Sequence, residues 1–340
     1  MNRKSVTAAV LTLFFLVSCA PIQAEKKTGS AADYPPVVRS VENPSPGKIV
    51  LSFDKEINAE KESFSVSPGI DILEIRTEGR ELTLIPAQEP EAGKEYFIRG
   101  TVYDAGNNSV SLGASFFGFN PRVPAVLINE FTSNGSGNHP DMAELYVTAG
   151  GNLAGITLYG GTKSSYTDKF VFPALEVGTG DFIIVHFKPE GLDTEINETE
   201  NRNQAAGRDS SEEAWDFWIS GGNGLSGNNG VISLYSNPYG SMMDCVIYTN
   251  RTSDSDTAYR GFGSTKLMLQ VDEAAAEGGW KGAGDTVRPE DCVSSALTTA
   301  TRSCGRNSGS ADTDTAGDWH TVPTSKFSFG KKNSDDIYVK

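Results

Sequence analysis

Short runs in which every second residue is apolar, punctuated by Gly, Pro, Asn and Asp, confine this chain to strands and tight turns. Within residues 35–120 the runs are Val37-Val38-Arg39-Ser40-Val41, Ile49-Val50-Leu51-Ser52-Phe53, Phe64-Ser65-Val66, Ile70-Asp71-Ile72-Leu73-Glu74-Ile75, Leu82-Thr83-Leu84-Ile85 and Tyr96-Phe97-Ile98-Arg99. A period of two gives each run one face for a core and one for solvent, which the 3.6-residue period of a helix cannot do. About seven such strands in so short a span build a sandwich. Long helical patterns are scarce elsewhere too, and Gly 36 and Pro 16 keep breaking the chain, so the expected class is all-β.

At 340 residues there is room for two cores. The stretch PPVVRSVENPSPGKIVLSFDKEIN, followed by VYDAGNNS, resembles the bacterial Ig-like repeats of cell-surface proteins over residues 35–120. A second set of strands begins after Pro121-Arg122-Val123-Pro124: AVLINEF, AELYV, NLAGITLYG, DKFVFPALEVGTGDFIIVHF and GNNGVISLYSNPYGSMMDCVIY. Together with the ending DTDTAGDWHTVPTSKFSFGKKN, these pieces resemble the lamin-tail domain, itself an Ig-like sandwich, over residues 121–333. That family has a Pro-Gly-x-x-Asn ending, and Phe329 stands here at the proline position before Gly330 and Asn333. The resemblances imply two Ig-like β-sandwich domains in tandem and a short tail over residues 334–340. Two polar stretches, residues 188–213 and 271–303, read as insertions. The first is acidic and poor in apolar residues, so it is expected to be a mobile loop; the second is expected to carry a short helix over Glu273 to Glu277.

The N-terminus carries a different signal. Arg3 and Lys4 precede an apolar run from Val6 to Val17, far shorter than the roughly 20 residues a membrane-spanning helix needs. Leu16-Val17-Ser18-Cys19 resembles the lipobox of bacterial lipoproteins. The resemblance implies that residues 1–18 are a signal peptide, that Cys19 is the lipid attachment site, and that residues 19–34 are a flexible tether. Signal cleavage after Ala20 or Ala24, with Cys19 discarded, is the alternative. If Cys19 is lipidated, Cys245, Cys292 and Cys304 remain, an odd number in an oxidising compartment. Cys245 alternates with Met243 and Ile247 and is expected to be a buried strand thiol, leaving Cys292 and Cys304, which flank a short irregular segment, to form a disulfide.

Charge excludes one class of partner. The formal net charge is -15, and no compact Lys/Arg cluster offsets it, so phosphate backbones are repelled and no nucleic acid partner is expected.

Chemistry-bearing motifs are sparse. His139, His186 and His320 are isolated, there is no Cys-x-x-Cys or Gly-x-Ser-x-Gly, and SGGNGLSGNNG lacks the Lys-Ser/Thr that closes a phosphate cradle. Glu130 and Glu144 stand where the lamin-tail family recurrently has acids. As a pair they could perform acid/base work or bind a metal, or each could accept hydrogen bonds from a neighbouring loop or face solvent. Asp312, Asp314 and Asp318 begin like a calcium loop but lack its distal glutamate, which leaves a side-chain-capped turn as the competing reading. Asp104, Asn107 and Asn108 face the same choice, with the turn favoured by the intervening glycine. In EEAWDFWIS, Trp215, Phe217 and Ile219 alternate toward a core and leave Trp218 as the one candidate for exposure to a sugar or peptide, with core packing of the segment the competing reading.

The expected function is therefore a lipid-anchored cell-envelope binding or scaffolding module, at the outer membrane or cell surface. It would be held to the membrane by its N-terminal lipid and would bind an envelope or extracellular protein or a glycan. No catalytic residue, metal or cofactor is assigned. The alternative is a divergent hydrolase, or a hydrolase accessory domain, using Glu130, Glu144 and His139.

Overall fold

The computed structural model describes residues 34–252, 254 and 256–340. The expected signal peptide, Cys19 and nearly all of the tether lie outside the described residues.

Most of the period-two runs become half-buried strands; Ile72–Glu78 is an exception, with a bulge at its start and no buried residue. Lys48–Phe53 sends Ile49, Leu51 and Phe53 inward and leaves the residues between them accessible. It lies between Val38–Ser45 and Glu81–Pro86, with Ile72–Glu78 completing an antiparallel sheet. A facing sheet is built on Glu95–Tyr103, which pairs with Asn58–Ala59, Ser65–Ser67 and Ser109–Phe117. The core between them is apolar: Leu82 and Leu84 from one side meet Ile98, Val102 and Phe116 from the other. The Asp104 segment is a turn, as its composition favours. The Asp104 carboxylate accepts the backbone N–H groups of Gly106 and Asn108, both at 2.9 Å, and Asn107 takes the positive φ of 64° that the reversal needs.

The second sandwich has a separate apolar core, running from Val126 to Trp319. One sheet has the order Trp215–Trp218, Phe182–His186, Met142–Ala149, Ala125–Thr132, Cys304–Arg306, Trp319–Thr321. The other has the order Ser165–Val171, Thr157–Thr162, Asn229–Tyr235, Met242–Thr249, Val293–Ser294. Two of these pairings are parallel: Phe182–His186 with Trp215–Trp218, and Met242–Thr249 with Val293–Ser294. Parallel neighbours need a long crossover. Residues 188–213 fall within the first crossover, while residues 271–303 overlap only the later part of the second and run on through Val293–Ser294.

The helix of the second crossover is longer than expected. It spans Thr265–Ala276, because the Ser264 hydroxyl accepts the Leu267 N–H at its start and Leu267, Val271 and Ala274 bury one face. The first crossover is coil, yet it is densely hydrogen-bonded. The Glu195 carboxylate accepts the N–H groups of Glu190, Gly191 and Leu192 at 2.6 to 2.9 Å, and the buried Glu198 accepts those of Gln204, Ala205 and Asp216 at 2.8 to 3.1 Å.

The two sandwiches are joined closely. Asn120 donates to the carbonyls of Asn152 and Ala154, and Asn43 accepts the N–H of Phe119. Gly93 and Gly155 meet with positive φ, and a Cβ on Gly93 would lie 2.4 Å from the Gly155 nitrogen.

Candidate functional site

The six-stranded sheet has an apolar inner face and a polar outer one. Ala143, Leu145, Ile183 and Val185 enter the core, while the alternating positions Met142, Glu144, Ile184 and His186 turn the other way. That outer face is covered by coil, and its acids are buried beneath it.

Glu130 and Glu144 are directly opposed across neighbouring strands, and both are fully buried. A bulge beside them inserts Asn129 as an extra residue, since Glu144 pairs with Glu130 but Leu145 pairs with Ile128. Glu130 accepts the Ser303 hydroxyl, together with the N–H of Ser328 at 3.0 Å and its hydroxyl at 2.6 Å. Glu144 accepts the Asn129 amide at 2.7 Å and the Gly330 N–H. Asn333 closes the network, donating to the Arg306 carbonyl at 2.7 Å and the Asn129 carbonyl at 3.1 Å. Burial pushes both carboxyls above their usual range. Glu144 rises well above it, because the neighbouring Glu130 charge adds to desolvation. Of the readings open to these acids, the hydrogen bonds fit the clasping of a neighbouring segment: residues 328–333 are held down onto the sheet.

His139 does not complete a triad with them. Its Nδ1 lies 3.1 Å from Asp209, at a partly exposed position, with its ring against Phe327.

Beside the acid pair lies a buried cation. Arg306 donates to the Ile128 carbonyl at 2.9 Å, to Asp244 at 3.1 Å and to Asp312 at 3.1 Å, and its guanidinium sits 4.8 Å from the Trp319 ring centre. Burial raises the Asp244 carboxyl to about 7 against the pull of Arg306. The Asp312, Asp314, Asp318 turn is drawn into this pairing. Arg306 takes Asp312 and Asp318, Lys281 takes Asp314 at 2.6 Å, and Asp318 caps the turn by accepting the Thr313 N–H and hydroxyl. These contacts favour the capped turn over a calcium loop. Among the described residues no group of three or more His, Cys, Asp and Glu side chains is placed to hold a metal.

Under the first crossover, the His186 Nε2 lies 2.7 Å from Asp216, and both residues are buried. Trp218, the candidate for exposure, stacks on the imidazole at 3.6 Å and is only 5% exposed. It does turn away from the core, but the crossover covers it: Gly207 lies so close that a Cβ there would meet the indole at 2.2 Å.

The expected Cys292–Cys304 disulfide is likewise not formed. Cys245, Cys292 and Cys304 are all free and buried. Cys304 pairs with Phe131 in the six-stranded sheet, whereas Cys292 leads into Val293–Ser294 of the other, and its thiol turns to the Arg288 carbonyl.

Sequence reasoning missed Arg306, Asp244 and the His186–Asp216 pair, for which no local pattern exists. Asn333 did have a signal in the Gly330-x-x-Asn333 ending.

These features define an all-β protein whose second sandwich clasps coil over a charged sheet face. The chain belongs to the family described as "TP_1001_2nd: protein second domain", whose model matches residues 124–321. It is 25% identical over 164 residues to a Treponema pallidum (strain Nichols) protein named "Uncharacterized protein", an overlap of 48% of this chain and 41% of that one. The chain thus spans less than half the length of that relative. Among solved structures, the N-terminal part of the bacterial S-layer protein SbsC superposes on 64% of this chain and 44% of its own at 12% identity, with a TM-score of 0.26. Dimeric latent PorU from Porphyromonas gingivalis covers 63% of this chain and 19% of its own at 11% identity, with a TM-score of 0.18. Superpositions this loose say nothing about activity.

Proposed function

We propose that this is a lipid-anchored envelope protein, held to a membrane through Cys19 and acting as a non-catalytic binding or scaffolding module for an envelope or extracellular protein or glycan. The observation that carries the non-catalytic part is the use of the paired acids. Glu130 and Glu144 have no exposed surface, and their oxygens accept hydrogen bonds from Asn129, Ser303, Ser328 and Gly330. A general acid or base must reach its substrate's proton. These acids instead hold the chain's own C-terminal segment. The anchor is supported by Leu16-Val17-Ser18-Cys19, and a diacylated cysteine would bind a bilayer almost permanently at about 0.8 kcal/mol per buried methylene.

Two measurements on the full chain test this. Wild type is expected to take up labelled palmitate and partition into the detergent phase, and Cys19→Ala to do neither; an unlabelled wild type with its N-terminus at Glu25 would sink the anchor. Cross-linking on intact cells is expected to capture an envelope partner. Hydrolysis of an envelope polymer that disappears in Glu144→Gln would replace the module with the hydrolase.

A further inference from the structure

Where the two sandwiches meet they enclose a cleft of about 440 Å³, within the roughly 300–1,000 Å³ range of small-ligand pockets. One wall is aromatic. Phe117, from the end of Ser109–Phe117, and Tyr239, from the turn after Asn229–Tyr235, lie with ring centres 5.8 Å apart, and the Tyr239 hydroxyl donates to Glu95 at 3.2 Å. Tyr239 is 56% exposed, so its ring is not there to fill a core. The lining also includes the polar residues Asn237 and Ser241, from the same turn as Tyr239, and Glu42, from Val38–Ser45 of the first sandwich.

The cleft is also held in one shape. Asn120 and Asn43 tie the linker to both sandwiches, and Gly93 against Gly155 sets their separation at backbone contact. A ligand entering it does not have to order the walls, which removes a major cost of binding.

Resting on the reading of the chain as a binding module, we infer that this cleft is a binding site for a neutral saccharide. A sugar ring has an apolar C–H face and a hydroxyl edge. The Phe117/Tyr239 pair suits the face, and Asn237, Ser241 and Glu42, which line the same cleft, have the amide, hydroxyl and carboxylate that suit the edge. Glu42 and Glu95, on a chain of net charge -15, repel uronic acids and phosphorylated sugars. A lipid chain would meet too many polar groups here.

The test is calorimetric titration of the full chain in detergent with four probes: cellotetraose, maltotetraose, tetra-N-acetylchitotetraose and tetragalacturonate. At least one neutral probe is expected to bind and the galacturonate to fail. Tyr239→Ala is expected to weaken binding at least tenfold and Tyr239→Phe by no more than about twofold, while Tyr166→Ala, an exposed tyrosine outside the cleft, leaves it unchanged. Hydrogen exchange of the variants checks that they remain folded. Failure of all three neutral probes, preference for the galacturonate, or indifference to Tyr239→Ala overturns the proposal. Flat titrations alongside successful envelope capture would reject the saccharide and leave the module standing; loss of both would reject the module as well.

Discussion

The two sandwiches share an architecture but differ in what they bury. In the first, Asp104 is the one buried polar side chain among the described residues, and the core from Ile49 to Phe116 is apolar. The second buries Glu130, Glu144, Asp216, Asp244, His186 and Arg306 beside a larger apolar core. Apolar contacts are tolerant of geometry, whereas a desolvated charge needs every partner in place. The first sandwich is therefore specified by pattern and volume. The second is specified by a set of hydrogen bonds that only one arrangement of its coil satisfies.

The sharpest way to break this contrast is Arg306→Ala, which strands Asp244 without its cation. A loss of about 3–5 kcal/mol is expected, read by hydrogen exchange as deprotection of peptides from the second sandwich while those of residues 49–116 keep theirs. The mirror experiment is Leu84→Ala, expected to take about 2–5 kcal/mol from the first sandwich alone. If either variant loosens both sandwiches equally, the cores are one cooperative unit and the contrast is local. Asn333→Ala removes the donor to the Arg306 and Asn129 carbonyls, and a loss of about 1–3 kcal/mol is expected. Limited proteolysis should then cut first within residues 326–340.

Proton linkage separates the sandwiches in sign. Glu130 and Glu144 have folded pKa values raised above the unfolded value of 4.5, so their contribution is fully present below that pH and is lost as pH rises through the folded values. Asp104 is lowered from 3.8 by its hydrogen bonds to Asn108, so its contribution is present above that value and is lost as pH falls. Denaturation followed from pH 3 to 8 should show the second sandwich weakening toward alkali by at most about 1.4 kcal/mol per pH unit for each proton released, and Glu144→Gln should flatten that slope. A second sandwich that instead strengthens with pH would mean that both acids are ionised in the fold. The smallest effect belongs to His139→Ala, which removes a partly exposed polar contact with Asp209 worth under about 1 kcal/mol; a larger loss would move His139 into the network.

The contrast also explains what could be read in advance. Alternation located the strands of the first sandwich, because a half-buried strand writes its burial into its own residues, as Ile49, Leu51 and Phe53 do. In the second, alternation gave the direction in which Trp218 turns but not what covers it, since Gly207 reaches it from a coil with no period of its own. The helix length depended on the cap at Ser264, nine residues upstream of Glu273. The meeting of Glu130 with Glu144 depended on strand pairing and a bulge, and that of Arg306 with Asp244 spans 62 positions, so no local window holds either. The disulfide expectation counted cysteines, whereas bonding depends on which sheet each one enters.

Residues 328–333 close over acids that lie about two hundred positions earlier, Ser328 on Glu130 and Gly330 on Glu144. This makes the clasp a timing device. While the chain emerges, the sheet that needs those hydrogen bonds exists without them, and such distant closures are slow to form. The second sandwich is thus kept from completion until residues 328–333 have been made, long after both strands that carry its acids.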